Sequence, residues 1–257
     1  MTGGMEITIL GSGTAVPVPD RFPAGALVRG GGETLLVDCG PGTLRRLAQA
    51  GGDIKDITTV LLTHFHTDHT GDLAALLFAL RNPAYRGRPP LRIVAAEGLV
   101  DLIRHLTAAW PWLAPAGAYD LVLEEIGPGA VALNGLEGTA VRIEHTDRSL
   151  GYRIADDEGR AVAFSGDADV CPGLVEVARG AELFVCDCSF PDALRTPGHL
   201  TPGLAGRAAR EAGVGTLCLT HFYPECDGHD LEAQARAEFS GRIVLAEDLM
   251  RLRPARA

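Results

Sequence analysis

The stretch LLTHFHTDH, residues 61–69, limits what this chain can become more than any other, because it sets three histidines and an aspartate at the end of an apolar run. In extended backbone, residues two apart point the same way, so His64 and His66 can reach one point side by side. Asp68 and His69 follow where the chain turns into a helix, and they can aim at a neighbouring point. One cluster therefore offers two possible metal sites. Imidazole nitrogen and carboxylate oxygen suit zinc and, less selectively, manganese or iron, whereas the absence of cysteine from the stretch argues against a structural thiolate site.

A lone HxH carries little weight, so the rest of the chain decides. CLTHF at 218–222 repeats the same strand ending, and of the eight histidines two more, His145 in VRIEHT and His221, close apolar runs. Asp38 in LLVDCG and Asp167 in AFSGDAD do likewise, at the strand ends where the active-site residues of mixed sheets gather. Strands are expected at 5–10, 25–29, 34–38, 58–64, 91–96, 140–145, 151–155, 161–166, 182–187, 215–221 and 242–246, with helices at 42–50, 72–81, 97–109, 172–179, 202–212 and 230–239. Paired early strands followed by strand and helix alternation predict an α/β (α+β) fold with mixed sheets. DDEG at 156–159 reads as a hairpin turn. The segments starting TLLVDCGPG and AVAFSGDAD both run strand, acidic turn, helix, strand, which suggests two similar halves whose loops meet along one edge.

The 257 residues contain no low-complexity linker, so residues 1–257 are read as one domain, with 108–120 the only proline-rich connection. No apolar stretch is long enough to span a membrane, and the N-terminus lacks the basic and apolar pattern of a secretory signal; a cytoplasmic location is expected. Six cysteines without a CxxC read as reduced, mostly buried side chains. The formal net charge is -10 and Lys55 is the only lysine, so the surface as a whole repels a phosphate backbone.

With these residues in place, the chain resembles the metallo-β-lactamase-fold hydrolases. THFHTDH fits their HxHxDH signature, and Asp38, the His64 to His69 cluster, His145, Asp167 and His221 follow their five motifs in order. LGSGTAVP, VDCGPGT and PGHLTP…LCLTHF are most similar to the ribonuclease Z branch. The resemblance implies a four-layer αββα sandwich with two divalent metal ions, zinc first, at one edge. It implies one metal on His64, His66 and His145, the other on Asp68, His69 and His221, Asp167 bridging both, and Asp38 orienting a ligand histidine. It also implies a metal-bridging hydroxide that attacks a phosphodiester, with Asp68 taking its proton. His199 in GHLTP matches the branch's catalytic histidine, and Asp187 in CDCS stands where the branch has the glutamate that pairs with it. Assembly as a homodimer is a further implication.

One departure narrows the substrate. Transfer-RNA-processing members carry a long basic arm between the third and fourth motifs, and here only 21 residues separate His145 from Asp167. With the acidic charge, this argues against transfer RNA and toward a small phosphodiester, such as a cyclic nucleotide or cyclic ribose phosphate, or a short RNA. The same site can serve an ester, thioester or lactone hydrolase, or a metal-binding protein without turnover. GSGTAVP lacks the lysine of a phosphate loop and reads as a turn lining the site. Trp110, Pro111, Trp112 and Tyr119 are expected to pack on the core or to form a lid or a dimer contact. Arg81, Arg86 and Arg88 read as surface charge or as phosphate contacts.

Overall fold

Two seven-stranded sheets lie face to face in the computed structural model, which describes residues 4–255. The first contains β1 (Glu6–Gly11), β2 (Gly25–Gly30), β3 (Glu33–Val37), β4 (Thr59–Leu61), β5 (Leu91–Ala95) and β6 (Leu121–Glu125), with β14 (Arg251–Leu252) beside β1. The second runs in sequence order through β7 (Gly129–Leu133), β8 (Leu136–Arg142), β9 (Leu150–Ala155), β10 (Ala161–Phe164), β11 (Leu183–Asp187), β12 (Thr216–Thr220) and β13 (Arg242–Leu245).

Each sheet begins with antiparallel strands and changes to parallel pairing partway, at β3 beside β4 and at β10 beside β11. A helix makes the first parallel crossover in both: α1 (Thr43–Gln49) after β3 and α5 (Pro172–Ala178) after β10. These crossovers are the two halves legible in the sequence. Parallel pairing puts the strand ends on the same side of the sheet. The ends of β3, β4, β10, β11 and β12 thereby converge on one edge of the sandwich.

Period-2 alternation sorts the side chains. From β3, Leu35 and Val37 join the core between the sheets, with Val28, Tyr152, Ile154, Val162 and Phe164, while Leu36 faces a second core. That second core packs Leu27, Val60 and Ile93 against Leu47 of α1, Leu76 and Leu77 of α3 (Leu73–Ala79), and Leu99 and Ile103 of α4 (Leu99–Ala109). In the second sheet every residue of β10 and β11 is buried, as strands covered on both faces must be. Here α5 and α6 (Pro202–Ala212) supply Leu174, Val177, Ala205 and Ala209. The order of layers is the αββα sandwich.

The sheets are also joined by hydrogen bonds next to the convergent edge. The buried Tyr152 hydroxyl donates to the Leu62 carbonyl at 2.9 Å, and the Leu150 amide donates to the Thr63 carbonyl at 2.9 Å. Replacing Tyr152 with phenylalanine leaves the Leu62 carbonyl buried without that donor, which should cost about 1–3 kcal/mol, read as a lower urea midpoint at unchanged slope. An unchanged midpoint would show that the cross-sheet bond contributes nothing.

Several expected boundaries move. The ladder of β4 ends at Leu61, not at residue 64, because the Thr63 amide leaves it to donate to Asp38. β8 ends at Arg142, not at residue 145, where a turn built on Thr146 and Ser149 carries His145 outward. The edge strands β6 and β7, the two-residue β14 and the short helices α2 (Thr67–Thr70) and α7 (Leu231–Arg236), the last of these narrower than expected, complete the set. DDEG does turn β9 into β10. None of the six cysteines is in a disulfide, and five are buried. No helix among the described residues is long and apolar enough to cross a membrane.

Candidate metal centre

Every histidine and aspartate singled out at the strand ends arrives at the convergent edge. His64 and His66 lie on the five residues between β4 and α2, Asp68 and His69 on α2 itself, His145 after β8, Asp167 after β10 and His221 after β12. Two of the turns need left-handed backbone at a residue other than glycine: Asp38 has φ 62° and His221 φ 66°. Such conformations are costly and persist where the surroundings impose them. Gly40 is required for a different reason, since a Cβ there would sit 1.9 Å from the Asp68 carbonyl oxygen. The VDCG turn thereby lies directly on the backbone of α2, and Cys39 N donates to the His69 carbonyl at 2.7 Å.

The donor atoms fall into two groups around Asp167. On one side, His145 Nε2 lies 3.2 Å from His66 Nδ1, and Asp167 Oδ2 lies 3.5 Å from His145 Nε2 and 3.7 Å from His64 Nε2. On the other, His221 Nε2 is 3.4 Å from both His69 Nε2 and Asp68 Oδ2, while Asp167 Oδ1 is 3.0 Å from His69 Nε2 and 3.2 Å from His221 Nε2. Ligands about 2.0–2.1 Å from a tetrahedral zinc are separated by about 3.3 Å, close to these spacings. His199 also approaches Asp167 and His221 closely enough to form a third possible donor group.

Hydrogen bonding fixes which nitrogen of each ring faces the centre. The far nitrogen Nδ1 meets an oxygen in four rings: His64 with Thr63 Oγ1 at 3.0 Å, His69 with Asp38 Oδ2 at 2.8 Å, His145 with the Gly198 carbonyl at 2.8 Å and His221 with Ser189 Oγ at 3.0 Å. Asp38 accepts from the Thr63 hydroxyl as well, so that hydroxyl is left to accept from His64. With Nδ1 donating outward, Nε2 of each ring keeps its lone pair for the centre, as metal-bound imidazoles require.

The residues present fit a cation on two further observations. His64 Nε2 and Asp167 Oδ1 are buried and have no hydrogen-bond partner, although other donor atoms crowd them. Buried polar atoms are nearly always satisfied, so an orphaned atom in each of the two donor groups marks a missing partner in each. Charge points the same way. Burial, reinforced by His69, lowers the His64 ring to about 2 and keeps it neutral. Burial also opposes charge on His221, but Asp167, with Asp187 and Asp68, outweighs it and raises that ring to about 10. In His69, Asp167 and Asp38 overcome burial in the same way and raise it. A site that collects protons on two rings beside buried carboxylates accepts divalent cations in exchange for them.

A second layer surrounds these atoms. His199 Nδ1 lies 3.2 Å from Asp187 Oδ2, so the shorter acid still reaches it. Asp187 Oδ2 also accepts from the Ala168 and Leu200 amides, tying the Asp167 turn to the 195–200 loop. From the glycine-rich loop, Ala15 N donates to Asp68 Oδ2 at 3.1 Å, so GSGTAVP does line the site. Thr63, Gly198 and Ser189 escaped sequence reading. Their signal was position alone: a hydroxyl beside the first histidine, a hydroxyl two residues after Asp187, and a backbone carbonyl that no side-chain pattern reveals.

Other candidates lie elsewhere. Arg81 donates to the Trp112 carbonyl, and Arg88 donates to the Ile57 carbonyl and stands over the Tyr119 ring, so both brace the 110–119 connection. Tyr119 is buried on the core, whereas Trp110 and Trp112 are exposed. His105 and His229 are exposed and outside the centre.

Known proteins resemble this chain over most of its length. Residues 33–222 match the model of the β-lactamase superfamily domain. The chain is 34% identical to a ribonuclease Z of Mycobacterium avium (strain 104), covering 96% of this chain and 98% of that one, and 33% identical to a ribonuclease Z of Nocardia farcinica (strain IFM 10152), covering 96% and 97%. Among solved structures, the metallo-β-lactamase fold protein YhfI from Bacillus subtilis superposes with a TM-score of 0.84 at 24% identity, over 97% of this chain and 99% of that one. The short form of human tRNase Z gives 0.80 at 25% identity, over 98% and 100%. On a match that runs through nearly the whole length of its relatives, the chain belongs to the β-lactamase superfamily and, within it, to the ribonuclease Z-like metal-dependent hydrolases.

Proposed function

We propose that this chain, as one domain, is a phosphodiesterase that works with two divalent cations, zinc first, on a small phosphodiester or a short RNA. The observation that carries the two-cation reading is the placement of Asp167, whose Oδ2 faces His64 and His145 while Oδ1 faces His69 and His221. His64, His66 and His145 would hold one cation and Asp68, His69 and His221 the other, with Asp167 shared. When bound, such a pair supplies a nucleophilic water at neutral pH and offsets charge on the phosphoryl oxygens.

The side chains then have separable tasks. Asp68, whose carboxyl is lowered to about 2 as His221 and His69 outweigh burial, is ionised and can take a proton from the attacking water. His199 is the proton donor. Burial opposes its charge, but the hydrogen bond and charge of Asp187 win and raise its pKa, so the ring carries a proton for the leaving oxygen. Its Nδ1 is engaged, which leaves Nε2 free for the substrate. Asp187 holds that ring in place.

The surroundings support a small substrate. A trough of about 440 Å³, walled by Pro17, Val18, Pro19, Phe22 and Pro41, opens beside Asp68 and has room for one ester arm. The residues between His145 and Asp167 are taken up by a turn and the β9–β10 hairpin, with no projecting arm. The ribonuclease Z and tRNase Z names of the relatives favour RNA, and the missing arm and the acidic charge count against transfer RNA.

The test compares a chromogenic phosphodiester, a chromogenic carboxylic ester and a lactone, using protein of assayed metal content, and then short RNAs and a transfer-RNA precursor. Phosphodiester turnover with preference for the short RNAs is expected. Turnover of the ester or lactone alone would overturn the reading, efficient cleavage of the precursor would overturn its substrate part, and a fully metallated protein inert on all of them would favour a binding role.

A further inference from the structure

We propose that Ser189 is a positioning residue that ties the second cation's ligand His221 to the proton donor His199 through a single hydroxyl. The proposal rests on the two-cation reading above, and its main readouts require no turnover. Ser189 is fully buried directly after β11, in the CDCS segment. Its Oγ lies 2.6 Å from Asp187 Oδ1, 2.9 Å from His199 Nδ1 and 3.0 Å from His221 Nδ1. Few arrangements of hydrogen satisfy three such contacts.

A serine hydroxyl has one proton to give and two lone pairs to receive. An ionised carboxylate only accepts, so the proton goes to Asp187 along the shortest of the three contacts. Both imidazoles must then donate their Nδ1–H to the serine oxygen. That assignment fixes the two rings together. His221 presents Nε2 with its lone pair to the centre, and His199 keeps its Nδ1–H directed at Asp187 and Ser189, leaving Nε2 for the substrate side. The two rings lie nearly parallel, with centroids 5.7 Å apart and planes 15° apart. The anchor is itself rigid: the Ser189 amide donates to the Leu200 carbonyl, and its own carbonyl accepts from the Tyr223 amide and the Cys226 thiol. Elsewhere in the centre each outer partner serves ligands alone: Thr63 holds His64, Asp38 holds His69 and Gly198 holds His145. Asp187 lies near both rings, 3.2 Å from His199 Nδ1 and 3.6 Å from His221 Nδ1, but among the described residues Ser189 alone is within hydrogen-bond distance of both a ligand ring and the ring that is not a proposed ligand.

The test uses the full chain, stripped of metal by a chelator and retitrated with zinc against a chromogenic competitor, which yields two dissociation constants. The step belonging to Asp68, His69 and His221 is recognised by its loss in His221→Ala. Ser189→Ala should weaken that step by about 10- to 100-fold and leave the other unchanged. Ser189→Thr, which keeps the hydroxyl, should restore it. At saturating zinc, Ser189→Ala should lower kcat on an alkyl phosphodiester more than on an aryl one, because His199 loses its second acceptor. In zinc-loaded wild-type protein the His221 Nδ1–H should give a downfield proton resonance protected from exchange with water, a readout that stands even if the alanine variant does not fold. Equal weakening of both zinc steps, no weakening, a loss that threonine does not restore, an equal fall of kcat on both esters, or a freely exchanging His221 ring proton would each overturn the proposal. A protein with these zinc and proton properties but no phosphodiester turnover would remove the proposed reaction and leave the role of Ser189 standing.

Discussion

Replacing Asp167 with alanine should lower phosphodiester turnover by about 10³-fold or more and reduce the bound metal from two equivalents to one or fewer. The size follows from the several kcal/mol of charge stabilisation that a cation pair provides, at about 1.4 kcal/mol for each factor of ten. Among the described residues no other side chain stands between the two donor groups with one oxygen toward each. Its loss also leaves the charge on His69 and His221 without its main counterion, so the metal-free variant should be less stable than wild type. Asp167→Asn separates the two effects, since it keeps the shape and one oxygen acceptor while removing the charge. It should fold, bind one equivalent more weakly and remain far below wild type in rate. Activity within tenfold of wild type in the alanine variant would show that the carboxylate is not shared.

The second large effect concerns His199. His199→Ala should lower kcat on an alkyl phosphodiester by about 10²–10⁴-fold and on a nitrophenyl phosphodiester by less than about tenfold, because only the poor leaving group needs a proton. Metal content should stay at the wild-type value. That control matters, since His199 lies close enough to Asp167 and His221 to act as a ligand itself. A variant that loses metal, or one that loses the same factor on both esters, would contradict the assignment as proton donor. Asp187→Asn should follow the same leaving-group pattern more weakly, because Ser189 still holds the His199 ring.

The centre was legible in the sequence because strand-end chemistry is local. HxHxDH needs no tertiary information to place four ligands, and LVDCG, VRIEHT, FSGD and CLTHF each end an apolar run that the period of a strand identifies. The parallel crossovers after β3 and β10 were visible as a repeated order of elements for the same reason. What escaped detection is set by partners far along the chain. Leu121–Glu125 and Gly129–Leu133 are edge strands with half-exposed faces, so they lack the dense apolar signal of β10 or β11, and pairing alone defines them. The two-residue β14 exists only because Leu252 and Arg251 meet β1. Ser189 and Thr63 are ordinary small residues until Asp187, Asp38 and three histidine rings are brought against them. The overlong expectations for β4 and β8 share one cause: apolar character continues through Leu62 and Ile143, while the backbone has already left the ladder to present His64 and His145.

The most direct test of the account is to titrate zinc into chelator-stripped protein while following hydrolysis of an aryl phosphodiester, with bound metal counted at every point. Activity should be negligible at one equivalent and rise as the second binds, reaching its plateau at two zinc ions per chain. A plateau at one equivalent, or two ions bound with no hydrolysis, would contradict the claim that two cations sharing Asp167 carry the reaction.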